Sequence, residues 1–269
     1  MLYLLIFSAL AWESKTSASG TPLLWSSNEV GYYLNTTGYT ALSETDIEQA
    51  IVLASEAWDP SEFNAGFSFS YQGMTKTDGA DYTDGEHVIS FDNSWTEEEE
   101  LLAITYVWAN SKNEIFHFDI EINIDHHEWT VTGEEGKHDL TNSMAHEFGH
   151  ALGLEHSDDL EATMAPTTSH GETQKRDLNL DDVQGFATTY PAGYNPSSGS
   201  QEGDGTSEEG TSGSSSGGGS GPGPDTTPSN TGNGSTGPVA LDGGCSIAPA
   251  APLWLGVLGL MNIRRRRQT

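Results

Sequence analysis

Cysteine occurs once in the 269 residues, at position 245. No disulfide can form within the chain, so its folded part must stand on its own core. The lack of disulfides does not exclude export, because a core of this size needs no covalent staple. Basic residues are scarce as well: ten Lys and Arg stand against 40 Asp and Glu, for a formal net charge of -30. Nearly all of that charge lies in residues 21–191, where 33 Asp and Glu oppose 5 Lys and Arg. Such a surface repels polyanions, which excludes nucleic acid as a partner. Two readings of the acidity stay open, a solvated face that keeps the protein soluble and clustered calcium sites. Large side chains are nearly missing between Pro196 and Cys245, where Gly, Ser, Thr and Pro dominate. Such a composition cannot build a core. The apolar and aromatic residues fall mostly between Pro22 and Tyr190, enough for one domain.

Both ends read as address labels. Met1–Ala11 (MLYLLIFSALA) has the length of a signal-peptide core, and Ser17, Ala18 and Ser19 offer small residues for cleavage. No Lys or Arg precedes that run, so the signal is weak or the true start lies upstream; a buried N-terminal strand or helix is the alternative. At the other end Cys245 precedes an apolar stretch, Ile247–Ile263, and then four arginines, Arg264–Arg267. The stretch is short against the about 20 residues of a full span, but the arginines would hold its end on the cytoplasmic side. This order resembles the C-terminal sorting signals of surface proteins in myxobacteria and their relatives. The resemblance implies that Cys245 is a processing or lipid-attachment position; an uncleaved anchor is the other reading. The expected organisation is a signal peptide over 1–20, a folded domain over 21–194, a disordered linker over 195–244 and an anchor segment over 245–269.

Within the domain, EVGYYLNT from Glu29 predicts a first strand. Ile47, Ala50, Ile51, Ala54, Ala57 and Trp58 keep helical spacing, with Ser43 and Asp46 forming a capping pair at the start. Short strands are expected at Phe67–Tyr71, His87–Phe91, Leu101–Trp108 and Glu114–Asn123, then helices from Asp139 to Leu152 and from Leu180 to Thr189.

The segment HEFGHALGLEH carries the chemistry. His146 and His150 are four residues apart, so on a helix both imidazoles leave from one face and can bridge a single Zn²⁺. Glu147 points alongside such a metal without binding it, the place for a general base. Gly153 can end the helix in a left-handed conformation, which lets His156 return to the same ion. Three neutral nitrogen ligands leave a fourth position for water, as in catalytic zinc sites.

HExxHxxGxxH resembles the signature of the metzincin metalloproteases, and Ser157 after the third histidine is similar to the matrixin branch. The resemblance covers most of residues 28–191. It implies an α+β, zincin-like catalytic domain: a twisted five-stranded mixed sheet, two long helices, and among them an active-site helix and a C-terminal helix. Met164 in ATMAP is similar to the clan's methionine turn, and Asp181 and Asp182 in LNLDDVQGFATTYP correspond to the aspartates that tie the last helix to that turn. Three departures stand out. Fewer than thirty residues precede the first strand and Cys245 lies beyond the linker, so latency through a zinc-capping cysteine is not expected. Of the three histidines of a second, structural zinc, only His117 has a counterpart; His87, His126, His127 and His138 read as surface residues. Thr168 stands where a tyrosine usually lines the pocket.

The expected function is a secreted or surface-anchored zinc endopeptidase acting as a monomer on proteins or peptides, with extended substrates pairing along the edge strand Leu101–Trp108. The rivals are a surface adhesin that keeps the zinc fold without turnover and a zinc amidase acting on cell-wall peptides. Calcium has a lead in TKTDGADYTDGEH, where Asp78, Asp81, Asp84 and Glu86 crowd within nine residues. The plain alternative is a solvated acidic loop.

Overall fold

The computed structural model describes residues 12–196 together with the backbone of 239–240 and 246–247. After a two-residue strand β1 (Leu24–Trp25), five strands make the frame: β2 (Glu29–Asn35), β3 (Ser68–Met74), β4 (Val88–Asp92), β5 (Ala103–Ala109) and β6 (Glu114–Asn123). Their spatial order is β5-β6-β4-β2-β3. β2 runs parallel to β3 and β4, and β4 parallel to β6, whereas β5 is antiparallel to β6. The sheet is therefore mixed and five-stranded in its main part, as expected. β1 adds a short parallel pairing to β6.

Parallel neighbours need a crossover, and α1 (Glu44–Glu56) supplies it between β2 and β3. Ser43 caps α1 by accepting from the Asp46 amide at 3.1 Å, and Ile47, Ala50, Ile51 and Ala54 form its buried face. A one-turn helix α2 (Pro60–Phe63) follows, started by Asp59 and by proline in its first turn. α3 (Leu140–Ala151) packs on α1, β5 and β6 and has every residue buried. Phe148 shows how it is fixed: its ring lies 4.8 Å from Phe69 and 5.1 Å from Tyr32, centroid to centroid. Burying one such side chain contributes roughly 1.5–3 kcal/mol. Because residues two apart on a helix diverge by about 200°, the contact that seats Phe148 on the sheet turns His146 and His150 to the other side.

The smaller elements carry no periodic signal. β7 (Trp129–Thr130) pairs with β8 (His138–Asp139), and β9 (Thr167–Thr168) follows α3. A single 3-10 turn, Gln174–Arg176, leads to α4 (Leu180–Thr189), whose start is a capping box between Asn179 and Asp182. Two further strands come from the far end of the chain: β10 (Val239–Ala240), within the expected linker, pairs with β5, and β11 (Ser246–Ile247) pairs with β9.

Residues 12–20, expected to belong to a leader, run along the domain. The Lys15 amide donates to Gly153 O at 2.7 Å, the Glu155 amide to Glu13 O at 2.9 Å, and the Trp12 amide to Asp181 at 3.2 Å. Met1–Ala11, Cys245, the apolar stretch beyond Ile247 and the arginine block lie outside the described residues. Among the described residues no helix is long and apolar enough to cross a membrane.

Candidate active site

α3 begins at Asp139, whose side chain accepts from the Asn142 amide at 3.0 Å. The same carboxylate takes a bidentate grip from Arg176, Nε to Oδ1 at 2.8 Å and Nη2 to Oδ2. The paired carboxylate holds the guanidinium firmly protonated, with its pKa raised above the ordinary arginine value. At the other end the Gly153 amide donates to His150 O at 2.8 Å and the Leu154 amide to Gly149 O at 3.0 Å, closing the helix as the sequence predicts. Gly153 has φ of +85°, and a Cβ there would lie 2.9 Å from Leu23 O and 3.1 Å from Ile115 Cδ1. Gly153→Ala is expected to cost on the order of 2–3 kcal/mol, from left-handed strain and a clash with backbone that cannot swing away. A melting curve and a zinc titration of the variant check this; an unchanged Tm contradicts it.

The reversal at Gly153 brings His156 back to His146 and His150, and one ring nitrogen from each of the three lies within 4.8 Å of the others. His146 Nδ1 is 2.7 Å from Thr163 O and His150 Nδ1 is 2.8 Å from Leu154 O. A carbonyl can only accept, so in both rings Nδ1 carries the proton and Nε2 offers a lone pair. The two Nε2 atoms stand 3.1 Å apart. Burial, with neighbouring histidines adding to it, drives the His146 pKa well below its ordinary value and that of His150 down to about 3. Both rings are therefore neutral at neutral pH, with lone pairs facing each other in a dry place. This donor set fits a divalent zinc ion, which would turn that repulsion into coordination, with the two carbonyls fixing ring tautomer and orientation.

Glu147, 0% exposed, lies beside this cluster on the same helix. Thr105 of β5 donates its hydroxyl to Glu147 Oε2 at 2.6 Å, holding one carboxylate oxygen. Met164, 1% exposed, packs against the same helix. A Cβ on Gly149 would come within 2.2 Å of Met164 Sδ, so α3 meets the methionine at its glycine. The turn around Met164 is tied down by α4. Asp182 accepts from the amides of Thr163 at 2.7 Å, Met164 at 2.9 Å and Asn179 at 2.9 Å. Burial pushes the Asp182 pKa up while those three amides pull against it. Asp181 accepts from Ser157 Oγ at 2.7 Å. All of Glu147, His146, His150, His156, Met164, Gly153, Asp181 and Asp182 thus meet in one place. Thr105, Arg176 and the carbonyls of Thr163 and Leu154 are the contributors that no motif announces.

Other predicted residues are not gathered. In the acidic loop, Asp81 accepts from the hydroxyl and amide of Thr83, Asp84 from the Glu86 amide, and Glu86 from the hydroxyls of Thr75 and Thr77. The Thr83 hydroxyl holds the Asp81 pKa down, and the Thr75 hydroxyl does the same for Glu86. The weak contact of Asp78 is with Asn35, at 3.5 Å. Asp81, Asp84 and Glu86 are thus each satisfied separately. Among the described residues, His146, His150 and His156 are the one group of three that converges closely enough for a metal ion. His117 bonds Asp119 at 3.1 Å instead, and its ring meets His87 edge-on at 4.6 Å.

Where the sequence suggests surface residues, His138 is buried and His87 half-buried. His87 stacks on Phe118, ring centroids 5.2 Å apart. His138 is 1% exposed, lies near Trp129 and His170, and has neither ring nitrogen bonded. Both rings are used as aromatic filling. Burial first, then His170 and His127, hold the His138 pKa down to about 4. An unfolded chain therefore takes up a proton at this residue, below its ordinary value of 6.5, that the folded chain refuses until about 4. Stability is present above pH 6.5 and is lost as pH falls through that window. His138→Phe keeps a ring and deletes the proton site, so its Tm is expected to drop less than that of the unchanged protein between about pH 7 and about pH 5. Equal drops would remove His138 from the acid response.

Comparison with known proteins agrees with this geometry. The family model described as Matrixin matches residues 24–191. Matrix metalloproteinase-18 of Xenopus laevis is 32% identical over 157 residues, 58% of this chain and 31% of the relative. Neutrophil collagenase of Homo sapiens is 33% identical over 156 residues, again 58% of this chain and 31% of the relative. Matrix metalloproteinase-20 of Homo sapiens is 29% identical over 168 residues, 62% and 32%. The matched part thus spans about a third of the length of these relatives. With the family model covering most of the chain, and with the metal-binding cluster, methionine turn and capped last helix arranged around one another, this chain belongs to the matrixin family.

Proposed function

We propose that the chain is a zinc-dependent endopeptidase that hydrolyses protein or peptide substrates. The observation that carries this reading is the convergence of three imidazole nitrogens within 4.8 Å beside a fully buried carboxylate on the same helix. His146, His150 and His156 would hold the metal. Zinc in that position supplies a Lewis acid that acidifies a water and polarises the scissile carbonyl. Glu147 takes a proton from the attacking water and later delivers it to the leaving amine. Thr105 fixes one oxygen of that carboxylate through its bond to Oε2. The backbone of β5 aligns the substrate as an added strand, so the peptide bond is presented in extended form. No acyl intermediate forms on the protein.

The order of apolar leader, domain, cysteine, apolar stretch and arginine block supports export and attachment at the cell surface through the C-terminal segment. Casein hydrolysis tests the reading. It should be abolished by a chelator and by Glu147→Gln. Zinc binding without turnover of any peptide would select an adhesin, and cleavage confined to cell-wall peptides an amidase.

A further inference from the structure

Aromatic filling explains the shape of the His138 side chain but not its two nitrogens. The residue is 1% exposed, and neither ring nitrogen meets a hydrogen-bond partner. A phenyl ring would fill the same space without burying unmatched polar atoms, so the imidazole calls for a further reason. Neutral imidazole carries one lone pair in the ring plane, and His138 stays neutral down to about pH 4. At neutral pH it therefore offers a nitrogen ligand that protons do not claim. A second ring lies against it. The centroids of His138 and His170 are 4.2 Å apart with planes inclined at 32°. In the catalytic cluster His146 and His156, whose nitrogens converge, stand 5.2 Å apart at 33°. The backbone fixes the new pair from both sides, because the Gly171 amide next to His170 donates to the carbonyl of Lys137 next to His138, at 2.8 Å. His127 meets His138 edge-on at 5.3 Å, but its Nε2 is held by Glu99 O at 2.8 Å. Two imidazoles are thus on offer here, one buried and one, His170, exposed and free to turn its ring.

We propose that His138 and His170 form a second metal site, which takes a divalent transition ion of the zinc class through one nitrogen of each ring and water in the remaining positions. Nitrogen donors select such an ion over calcium or magnesium, which take oxygen. The net charge of -30 draws cations to the surface where His170 stands. This place is not the one that the family resemblance marks for a second zinc, which falls at His117, a ring bonded to Asp119. Position gives the ion a consequence. β8, which holds His138, leads directly into α3, and His170 follows β9, where the Thr168 hydroxyl accepts from Asn142 of α3 at 3.0 Å. An ion shared by the two rings fastens the loop after β9 to the start of the active-site helix. It stabilises the folded chain by mass action. Two protein ligands hold an ion less tightly than three, so this one loads after the catalytic zinc and leaves before it. The acid response of His138 belongs to the chain without this ion.

The test titrates the full chain, already carrying one equivalent of zinc, with more zinc. Equilibrium dialysis should show a second equivalent bound, and the imidazole nitrogen resonances of His138 and His170 should move with it while those of exposed His126 stay in place. Loss of a group that merely orients a ligand costs about 10–100-fold in metal affinity, so His170→Ala, which removes a ligand, should weaken the second equivalent by about 100-fold or more. His138→Phe, which keeps the core filled, should do the same, and both variants should keep the first equivalent. Excess zinc should raise the Tm of the unchanged chain and leave that of the variants where it was. His170 is exposed, so His170→Ala decides the matter even if His138→Phe folds poorly. A chain that binds a single zinc overturns the proposal. So does a second equivalent that His170→Ala binds as tightly as the unchanged chain, or one that leaves the His138 and His170 resonances unmoved.

Discussion

Glu147→Gln is expected to lower kcat for casein on the order of 10³- to 10⁴-fold, while the zinc content and the melting temperature hold. General acid–base participation by one positioned side chain accounts for about 10²–10⁴, and here the same carboxylate serves both proton transfers. The substitution preserves shape. Glutamine keeps a carbonyl oxygen that can accept from Thr105, so the 2.6 Å bond survives in kind. What disappears is a group able to take a proton from water. The nitrogens proposed to hold the metal, on His146, His150 and His156, are untouched, so binding of zinc reports that the fold is intact. Steady-state kinetics separates the effect: kcat falls and KM moves little, because the residue acts on the reacting atoms and not on the remainder of the peptide. A variant that retains more than a tenth of the original kcat would take the proton role away from Glu147.

Asp182→Ala should be the most destabilising of the single changes around the site. The carboxylate is 1% exposed and is the common acceptor for the amides of Thr163, Met164 and Asn179. Removing it leaves buried donors without partners, at a cost of roughly 1–3 kcal/mol each. A total of about 3–5 kcal/mol is expected, since Asn179 is half-buried and water can serve its amide. For a domain of this size that is a fall in Tm of roughly 10–15 °C. The damage should also reach the metal, because Thr163 gives the carbonyl that orients His146. Asp182→Asn keeps one acceptor oxygen and should lose less than half as much. Thermal unfolding of the two variants in excess zinc checks this order; equal losses would mean that the amides are satisfied in some other way.

How much of this was legible in the sequence depended on how local the signal was. The active-site helix and its end at Gly153 follow from residues within a few positions of one another, whereas the caps at Asp139 and Asn179 emerge only in the fold. The boundaries Glu114–Asn123 and Leu180–Thr189 coincide with those expected from the sequence. Strands β3, β4 and β5 are each displaced by one to three residues at their ends, because short apolar runs define a strand better than its ends. Contacts made by the topology were out of reach. Thr105 meets Glu147 across 42 positions and Arg176 meets Asp139 across 37, and neither residue type at such a spacing marks a site. His138 looked like surface because the residues that enclose it, Trp129 and His170, are brought by β7 and by the turn after β9. The two-residue strands β1, β9, β10 and β11 are too short for any alternation to show. For the acidic loop, crowding in the sequence left a solvated surface and a shared ion both open; in the fold Thr83 bonds Asp81, and Thr75 and Thr77 bond Glu86.

The central claim is that one zinc, held by His146, His150 and His156, makes this chain a peptidase. Stripping the purified full chain of metal and returning zinc in small steps while following peptide hydrolysis tests it most directly. Activity should be absent without metal, rise linearly with added zinc and break at one equivalent per chain. Hydrolysis that persists after complete metal removal, or a fully loaded chain that cuts no peptide, would contradict it.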